Sequence, residues 1–440
     1  MKMYKKICYG LGDLAVNGMF TFVSTYILFY YTDIEKISLA TVGTALFLGR
    51  SMDAVFSVIV GGIVDRTQTK WGKCRPFLVW FGIPLGLMLI FLFAVPDIGI
   101  YKGLYCGVTY VLFSIFFSLV NVPYTTMASM ISKRDDVRIQ YNVLKMLGAN
   151  LGGVLVTAFT LSIVQKNSAG FGHGYTKTAC LYAVIAIAAL LICAFVTKET
   201  VQTEQEEKMR IKEFGCIAKQ NKNWLIFCVV MFFSLLYMTL HNQSTIYYMK
   251  YYLGKENLSS FILSMTPFIC MLAALIMPPI ASRVGMKATV CAGNLITIFA
   301  LAGTWLAGRN EIPLLIFSIL TSVGWAVSSS MIFVMLPQLI DYSEWKSGRR
   351  PQGLMSAIVT FLMKMGVAMA GFICPLILKC GGYTSEVEAS ESVLTAIRMA
   401  YIFIPLLLAV LVMVLMKFYS LDHVYGQIAS ELKERETKTE

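Results

Sequence analysis

The sequence predicts an all-α polytopic membrane protein with twelve transmembrane spans, and three observations predict it. Of the 440 residues, 57% are hydrophobic and only 14% charged, where a soluble chain carries roughly a quarter charged. The apolar residues fall in runs of about 20, the length that crosses a hydrocarbon core. The basic residues are segregated: with the joints assigned alternately to two sides, 25 of the 37 Lys and Arg lie on one side and 9 on the other. Such an excess marks the cytoplasmic side. The net charge of +12 is therefore a topology signal. A nucleic-acid footprint would need a basic patch on a folded domain, so no nucleic-acid partner is expected.

The spans run roughly over 7–31, 38–64, 77–95, 101–130, 142–164, 179–197, 223–252, 259–281, 287–307, 313–341, 353–379 and 396–419. The basic start Met1–Lys6 leads into Ile7–Tyr31 without a small-residue cleavage site, so this run reads as a span and not a signal peptide. The longest joint, Lys198–Asn223, is charged and separates two sets of six spans. The domains are then 1–197, a central loop 198–222, a second bundle 223–421 and a tail 422–440. Both termini are expected on the cytoplasmic face of the inner (plasma) membrane. The polar tail after Lys417 is expected to be a frayed helix without chemistry. A faint repeat links the halves: Gly61-Gly62-x-x-Asp65-Arg66 with Lys70 and Lys73 follows span two, and Ser282-Arg283-x-Gly285-x-Lys287 follows span eight.

Several function classes drop out. The eleven cysteines form no C-x-x-C pair, and His173, His241 and His423 are far apart, so neither a metal site nor another cofactor is expected. Gly10-Leu11-Gly12-Asp13-Leu14-Ala15 fits a dinucleotide fingerprint, but it opens a membrane span where a strand and a βαβ unit would be required. No nucleophile–base constellation points to an enzyme. A non-transporting sensor would need a signalling domain, and the longest cytoplasmic pieces have about 25 residues. A monomer in the lipid bilayer is expected.

Polar residues inside spans are functional candidates by default. Arg50, Asp53 and Ser57 share one face of span two at i, i+3 and i+7. They form either a cation or proton site or a structural Arg–Asp pair. Lys364 lies mid-span eleven, too deep to reach the interface easily, and is a candidate partner for Asp53. Asn17 on span one, with Ser118, Asn121 and Thr125 on span four, could hydrogen-bond a polyol or act as interhelical glue. Span seven carries His241-Asn242-Gln243-Ser244-Thr245, a run too polar for lipid that must look into a cavity or a packed interface; His241 and Asn242 are candidates to bind substrate, and His241 could relay a proton. Arg66, Lys73 and Arg75 anchor the joint after span two. Asp341, Glu344 and Arg350 close span ten, where acid and base suit a gate as well as a solvated turn.

Several motifs stand in order along the chain: Tyr9-Gly10-x-Gly12-Asp13, Tyr30-Tyr31-Thr32-Asp33, Arg50-x-x-Asp53-Ala54, Asp65-Arg66-Thr67, Trp71-Gly72-Lys73-x-Arg75-Pro76, Asn121-x-Pro123-Tyr124 and Asp341-Tyr342-x-Glu344-Trp345-Lys346-x-Gly348-x-Arg350. Together they resemble the glycoside–pentoside–hexuronide:cation symporters, the group of the melibiose permeases, from Ile7 to about Leu421. The resemblance implies a major-facilitator fold and uptake of a small sugar coupled to Na⁺ or H⁺, two six-helix bundles rocking about a midplane site. In the melibiose permeases two acids four residues apart on span two and a span-four hydroxyl hold the cation. Asp53 matches the first acid, Ser57 the second and Ser118 the hydroxyl, while an Asn between the acids falls on Phe56. The sugar-binding acids fall on Asn17 and Asn121, the span-one Lys on Val16, and Trp positions on Thr125 and Ser329. Lys364 and Thr360 match the span-eleven Lys and Thr, and Lys145 is nearest to the span-five Arg. Loss of one carboxylate weakens a Na⁺ site and favours proton coupling, or loose coupling. Loss of both sugar-site acids makes an acidic sugar such as a uronide more acceptable. Val16 and Phe56 are also compatible with a lysolipid-type substrate.

Overall fold

A computed structural model describes residues 3–131, 135–167, 171–197, 199, 221–347, 351–384, 390–423, 425–428 and 430–431. Among them, twelve helices are long and apolar enough to cross a membrane. They are α1 (Met3–Ile34), α2 (Leu39–Arg66), α3 (Arg75–Leu92), α4 (Lys102–Ile131), α5 (Asp135–Lys166), α6 (Phe171–Val196), α7 (Lys222–Tyr252), α8 (Leu258–Val284), α9 (Met286–Ala307), α10 (Glu311–Ser347), α11 (Gln352–Cys380) and α12 (Glu391–Lys417). Each coincides with one expected span. The helices outrun the apolar runs at several ends, because a helix continues past the hydrocarbon core wherever its backbone groups stay paired.

Two compact units are distinguished by their internal packing. The first comprises Met1–Thr203, Thr239–Met271 and Val367–Tyr401; the second comprises Glu204–Met238, Leu272–Gly366 and Ile402–Glu440. In the first, α1 packs on α5 and α6, α2 on α4, and α3 on α4 and α6. Small residues set the seams. A Cβ on Gly148 would collide with the Gly10 carbonyl, and one on Gly152 would lie 2.5 Å from the Leu14 carbonyl. Helices α1 and α5 therefore touch backbone to backbone, as small-x-x-x-small faces allow. In the second unit α9 packs on α10. Gly293 and Gly324 make the same kind of contact there, beside an Asn294–Ser328 hydrogen bond of 3.0 Å. Its core is rich in Met and aromatic side chains, among them Trp224, Tyr237, Met331, Met335 and Tyr419.

A matched pair of locks makes the faint repeat physical. After α6, Glu199 accepts hydrogen bonds from the backbone N–H groups of Lys73 (2.7 Å), Cys74 and Arg75 (2.9 Å each) at the start of α3. In return the Arg75 guanidinium donates to the Ala194 carbonyl (2.6 Å) at the end of α6. After α12, Asp422 accepts from the Lys287 N–H (2.7 Å) at the start of α9, and the Lys287 ammonium donates to the Lys417 carbonyl (3.1 Å) and to that of Tyr419. Acids thus sit on helix N-termini and bases on C-termini, where the helix dipole favours each. Gly72 (φ +110°) and Gly285 (φ +97°) precede these N-termini, in a conformation that side-chain-bearing residues avoid.

The tail departs from expectation. Ile428 is buried in the core of the second unit. Tyr425 donates to Asp341 at 2.9 Å, and Trp345 donates to Glu431 at 2.6 Å. A tail that is polar on one face still carries Tyr425 and Ile428 on the other, and these dock it against the end of α10.

Candidate functional site

The face of α2 that carries Thr41, Ala45, Gly49, Asp53 and Ser57 advances in fours, and α4 answers with Gly103, Gly107, Tyr110, Ser114 and Ser118. Gly49 lies so close to the Tyr110 ring that a Cβ would not fit. This close seam delivers Ser118 to Asp53. The Ser118 hydroxyl donates to the Asp53 carboxylate at 2.6 Å, the Ser57 hydroxyl donates to the Asp53 carbonyl at 2.7 Å, and the two hydroxyls are 3.2 Å apart. Asp53 is 2% exposed and Ser118 fully buried. The three expected coupling residues of the first half therefore converge. Arg50 reaches α1: it donates to the Ser24 hydroxyl at 2.5 Å, and its guanidinium lies 4.3 Å from the centre of the Phe20 ring and 5.8 Å from that of Tyr110.

Asn121 follows Ser118 by one turn and is half-buried; Thr125 is exposed and bonds back to the Val122 carbonyl at 2.8 Å. Asn17 is half-buried on α1 and turns toward Asp13. Asp13 is the residue that sequence reasoning passed over, quoted only within a glycine motif. It is 3% exposed and interacts electrostatically with Lys145 of α5. The Lys145 ammonium lies 5.7 Å from the centre of the Tyr124 ring, and Tyr124 is stacked on Tyr9 with reciprocal hydroxyl-to-carbonyl bonds of 3.0 and 2.7 Å. The rule that singled out Asp53, an ionisable group inside a span, would have found Asp13 as well.

In the second unit, Thr360 and Lys364 stand one turn apart on α11. Thr360 is exposed and bonds to the Ser356 carbonyl at 2.9 Å, and Lys364 is half-buried. Asp341 receives the Tyr425 hydroxyl, and Glu344 is half-buried one turn on. Arg66 is exposed, and Lys73 and Arg75 belong to the α3–α6 lock. Arg350 and the Asp65 side chain lie outside the described residues.

The polar run of α7 is packed inside the first unit. His241 stacks on Tyr401, ring centres 4.2 Å apart, with Nδ1 2.9 Å from the Tyr401 carbonyl. Ser244 and Thr245 return their hydroxyls to α7 carbonyls, and Asn242 is half-buried. Beyond this run lies a cluster that sequence reasoning did not assemble. Helices α1 and α7 both finish in a wide π turn, Tyr30–Ile34 and Tyr248–Tyr252. In Tyr30-Tyr31-Thr32-Asp33 and Tyr247-Tyr248-Met249-Lys250 the acid and the base hold matching places, and they pair at 3.3 Å. The Asp33 side chain is 2% exposed. Tyr251 also donates to Asp33, Tyr383 of the segment after α11 donates to Tyr251 at 3.0 Å, and the Thr32 and Tyr247 hydroxyls are 2.6 Å apart. Glu256, on the joint after α7, feels the same charges. Burial pushes its carboxyl above the usual carboxylate range, Lys250 opposes that and Asp33 adds to it. Among the described residues, no three His, Cys, Asp or Glu side chains cluster as a metal site would require.

These features can be set beside known proteins. The chain is 32% identical to the isoprimeverose transporter of Lactiplantibacillus pentosus, over 98% of this chain and 91% of that one. It is 28% identical to the putative glycoside/cation symporter YagG of Escherichia coli (strain K12), over 96% and 92%. Its fold matches the crystal structure of a D-xylose–proton symporter with a TM-score of 0.69 over 95% of this chain and 98% of that one, at 13% identity. The profile of the family described as MFS/sugar transport protein matches residues 8–423. The chain therefore belongs to the MFS/sugar transport proteins and, within the major facilitator superfamily, to the glycoside–pentoside–hexuronide:cation symporters.

Proposed function

We propose that this protein carries a sugar or glycoside across the inner membrane in symport with a cation, a proton in preference to Na⁺, by alternating access with both termini cytoplasmic. The observation that carries the coupling role is the Asp53–Ser118–Ser57 cluster. A buried carboxylate in a span is a costly group that a protein keeps for ion or proton movement. Each serine hydroxyl can donate or accept, so Ser57 and Ser118 can exchange the donation they now make for lone pairs turned to an incoming cation. A hard metal cation wants several oxygen ligands, anionic ones among them. Here one carboxylate and two hydroxyls suit a proton better. Asn17, Asn121, Thr125, Thr360 and Lys364 are proposed for the sugar, together with Asn242. His241 is held by its stacking on Tyr401 and supports α7 against α12.

The paired ends of α1 and α7 support the gating part of the reading. Asp33 and Lys250 come from equivalent places in the two sequence halves, so breaking their pair would release both halves alike at what we take as the outer face.

The test is uptake into membrane vesicles from a sugar panel under imposed pH or Na⁺ gradients. A pH gradient is expected to drive accumulation, and Asp53→Asn is expected to lose accumulation while retaining sugar exchange. Full concentrative uptake by Asp53→Asn would remove Asp53 from the coupling path. Accumulation driven by Na⁺ alone would replace the proton.

A further inference from the structure

We propose that Asp13 and Lys145 form a charge-compensated pair that sets substrate charge: Lys145 offers hydrogen bonds to sugar hydroxyls, while Asp13 behind it keeps the site neutral and disfavours hexuronides. The proposal deepens the sugar-symport reading and rests on it.

The geometry starts from glycine. Lys145, Gly148 and Gly152 share one face of α5, and Gly10, Asp13 and Asn17 share one face of α1. Because Gly148 and Gly152 meet the Gly10 and Leu14 carbonyls with no room for a side chain, the two helices run backbone to backbone, and the faces that carry the acid and the base are turned toward each other. The pair is asymmetric. Asp13 is 3% exposed, whereas Lys145, Asn17 and Asn121 keep part of their surface open. The carboxylate is thus the fixed rear partner and the ammonium the accessible one. Tyr124 holds the ammonium from one side through its ring face, 5.7 Å from centroid to nitrogen. Tyr124 is itself fixed by its stacking and reciprocal bonds with Tyr9. An ammonium has three N–H donors, so Lys145 can reach a sugar hydroxyl while the charge of Asp13 offsets its own.

The electrostatic consequence opposes the one drawn from the sequence. With Asn17 and Asn121 alone, the sugar side of the first half has lost its acids and should welcome a uronide. Asp13 restores one negative charge beside Lys145, a cation that could bind a uronide carboxylate. In a medium of low dielectric a compensated ammonium attracts an anion far less than a bare one.

The experiment uses the full chain in proteoliposomes. The probes are p-nitrophenyl β-D-xyloside, p-nitrophenyl β-D-glucoside and p-nitrophenyl β-D-glucuronide, the last two differing only at C6. The wild type is expected to bind the neutral glycosides in preference to the glucuronide. Asp13→Asn is expected to move the glucuronide-to-glucoside ratio by about tenfold or more toward glucuronide, and Asp13→Asn combined with Lys145→Met to abolish that gain. A folded Asp13→Asn with an unchanged ratio overturns the proposal, as does a wild type that prefers the glucuronide. Should Asp13→Asn fail to fold, Lys145→Met decides: weakened binding of all three probes supports the pair, and unchanged binding of the neutral glycosides overturns it. A wild type that binds none of a wider sugar panel rejects the sugar reading itself, an outcome distinct from a failed ratio.

Discussion

Asp53 and Asp13 are both buried carboxylates of the first unit, and their surroundings make them different reagents. Asp53 is met by hydroxyls, Ser118 at its carboxylate and Ser57 at its carbonyl. A hydroxyl can reverse its role from donor to acceptor, so these two neighbours can accommodate a cation that arrives at Asp53. Asp13 has the charge of Lys145 across the α1–α5 seam and the amide of Asn17 on its own helix. An ammonium only donates, so a cation arriving at Asp13 would have to displace Lys145. The same side chain is thereby suited to exchange in one place and to standing compensation in the other.

The largest expected effect comes from breaking this division. Asp53→Asn should abolish gradient-driven accumulation, whereas Asp13→Asn should change which sugar is bound. If Asp13→Asn also abolished accumulation under a pH gradient, the two acids would act as one coupled site. Next in size is the Asp33–Lys250 pair. Lys250 is 32% exposed, so water softens the loss below the ~3–5 kcal/mol of a fully buried pair, yet Asp33→Asn should open the end where α1 and α7 meet. A cysteine placed at Thr32 in a cysteine-free background should then react faster with an impermeant thiol reagent, and the exchange Asp33→Lys with Lys250→Asp should slow it again. Unchanged labelling would deny the pair a gating role. Ser118→Ala removes one hydrogen bond to a charged group, worth about 1.5–3 kcal/mol. The half-saturating cation concentration for sugar uptake should rise about tenfold, and a wild-type value would show that the hydroxyl does not ligate. The smallest effects test the two locks. Glu199→Gln, which weakens three backbone contacts, should lower stability in detergent by about 1–2 kcal/mol. Asp422→Asn, which weakens one, should cost about 0.5 kcal/mol. Equal melting shifts would show that the locks bear equal load.

The two locks also show where sequence patterning stops. The repeat was visible as Gly61-Gly62-x-x-Asp65-Arg66 with Lys70 and Lys73 after span two, and as Ser282-Arg283-x-Gly285-x-Lys287 after span eight. Its acidic partners, Glu199 and Asp422, follow spans six and twelve, more than a hundred residues away, where no local pattern marks them. The Asp33–Lys250 pair was equally hidden, because its members are 217 residues apart and each belongs to a run that reads as an ordinary aromatic helix end.

By itself, the sequence determined twelve spans, their order, their charge asymmetry and the shared face of Asp53 and Ser57, because hydropathy, length and helical spacing are local quantities; Ser118, 65 residues from Asp53, was joined to them only by the family resemblance. Tertiary structure alone decided that the tail docks on α10, that His241 lies stacked on Tyr401 and that Asp13 faces Lys145. Those outcomes depend on which helices touch, and at α1–α5 the contact is set by glycines that let two backbones meet. A glycine announces in sequence only that something can come close. The fold determines what does, and here it brings a cation to a buried acid.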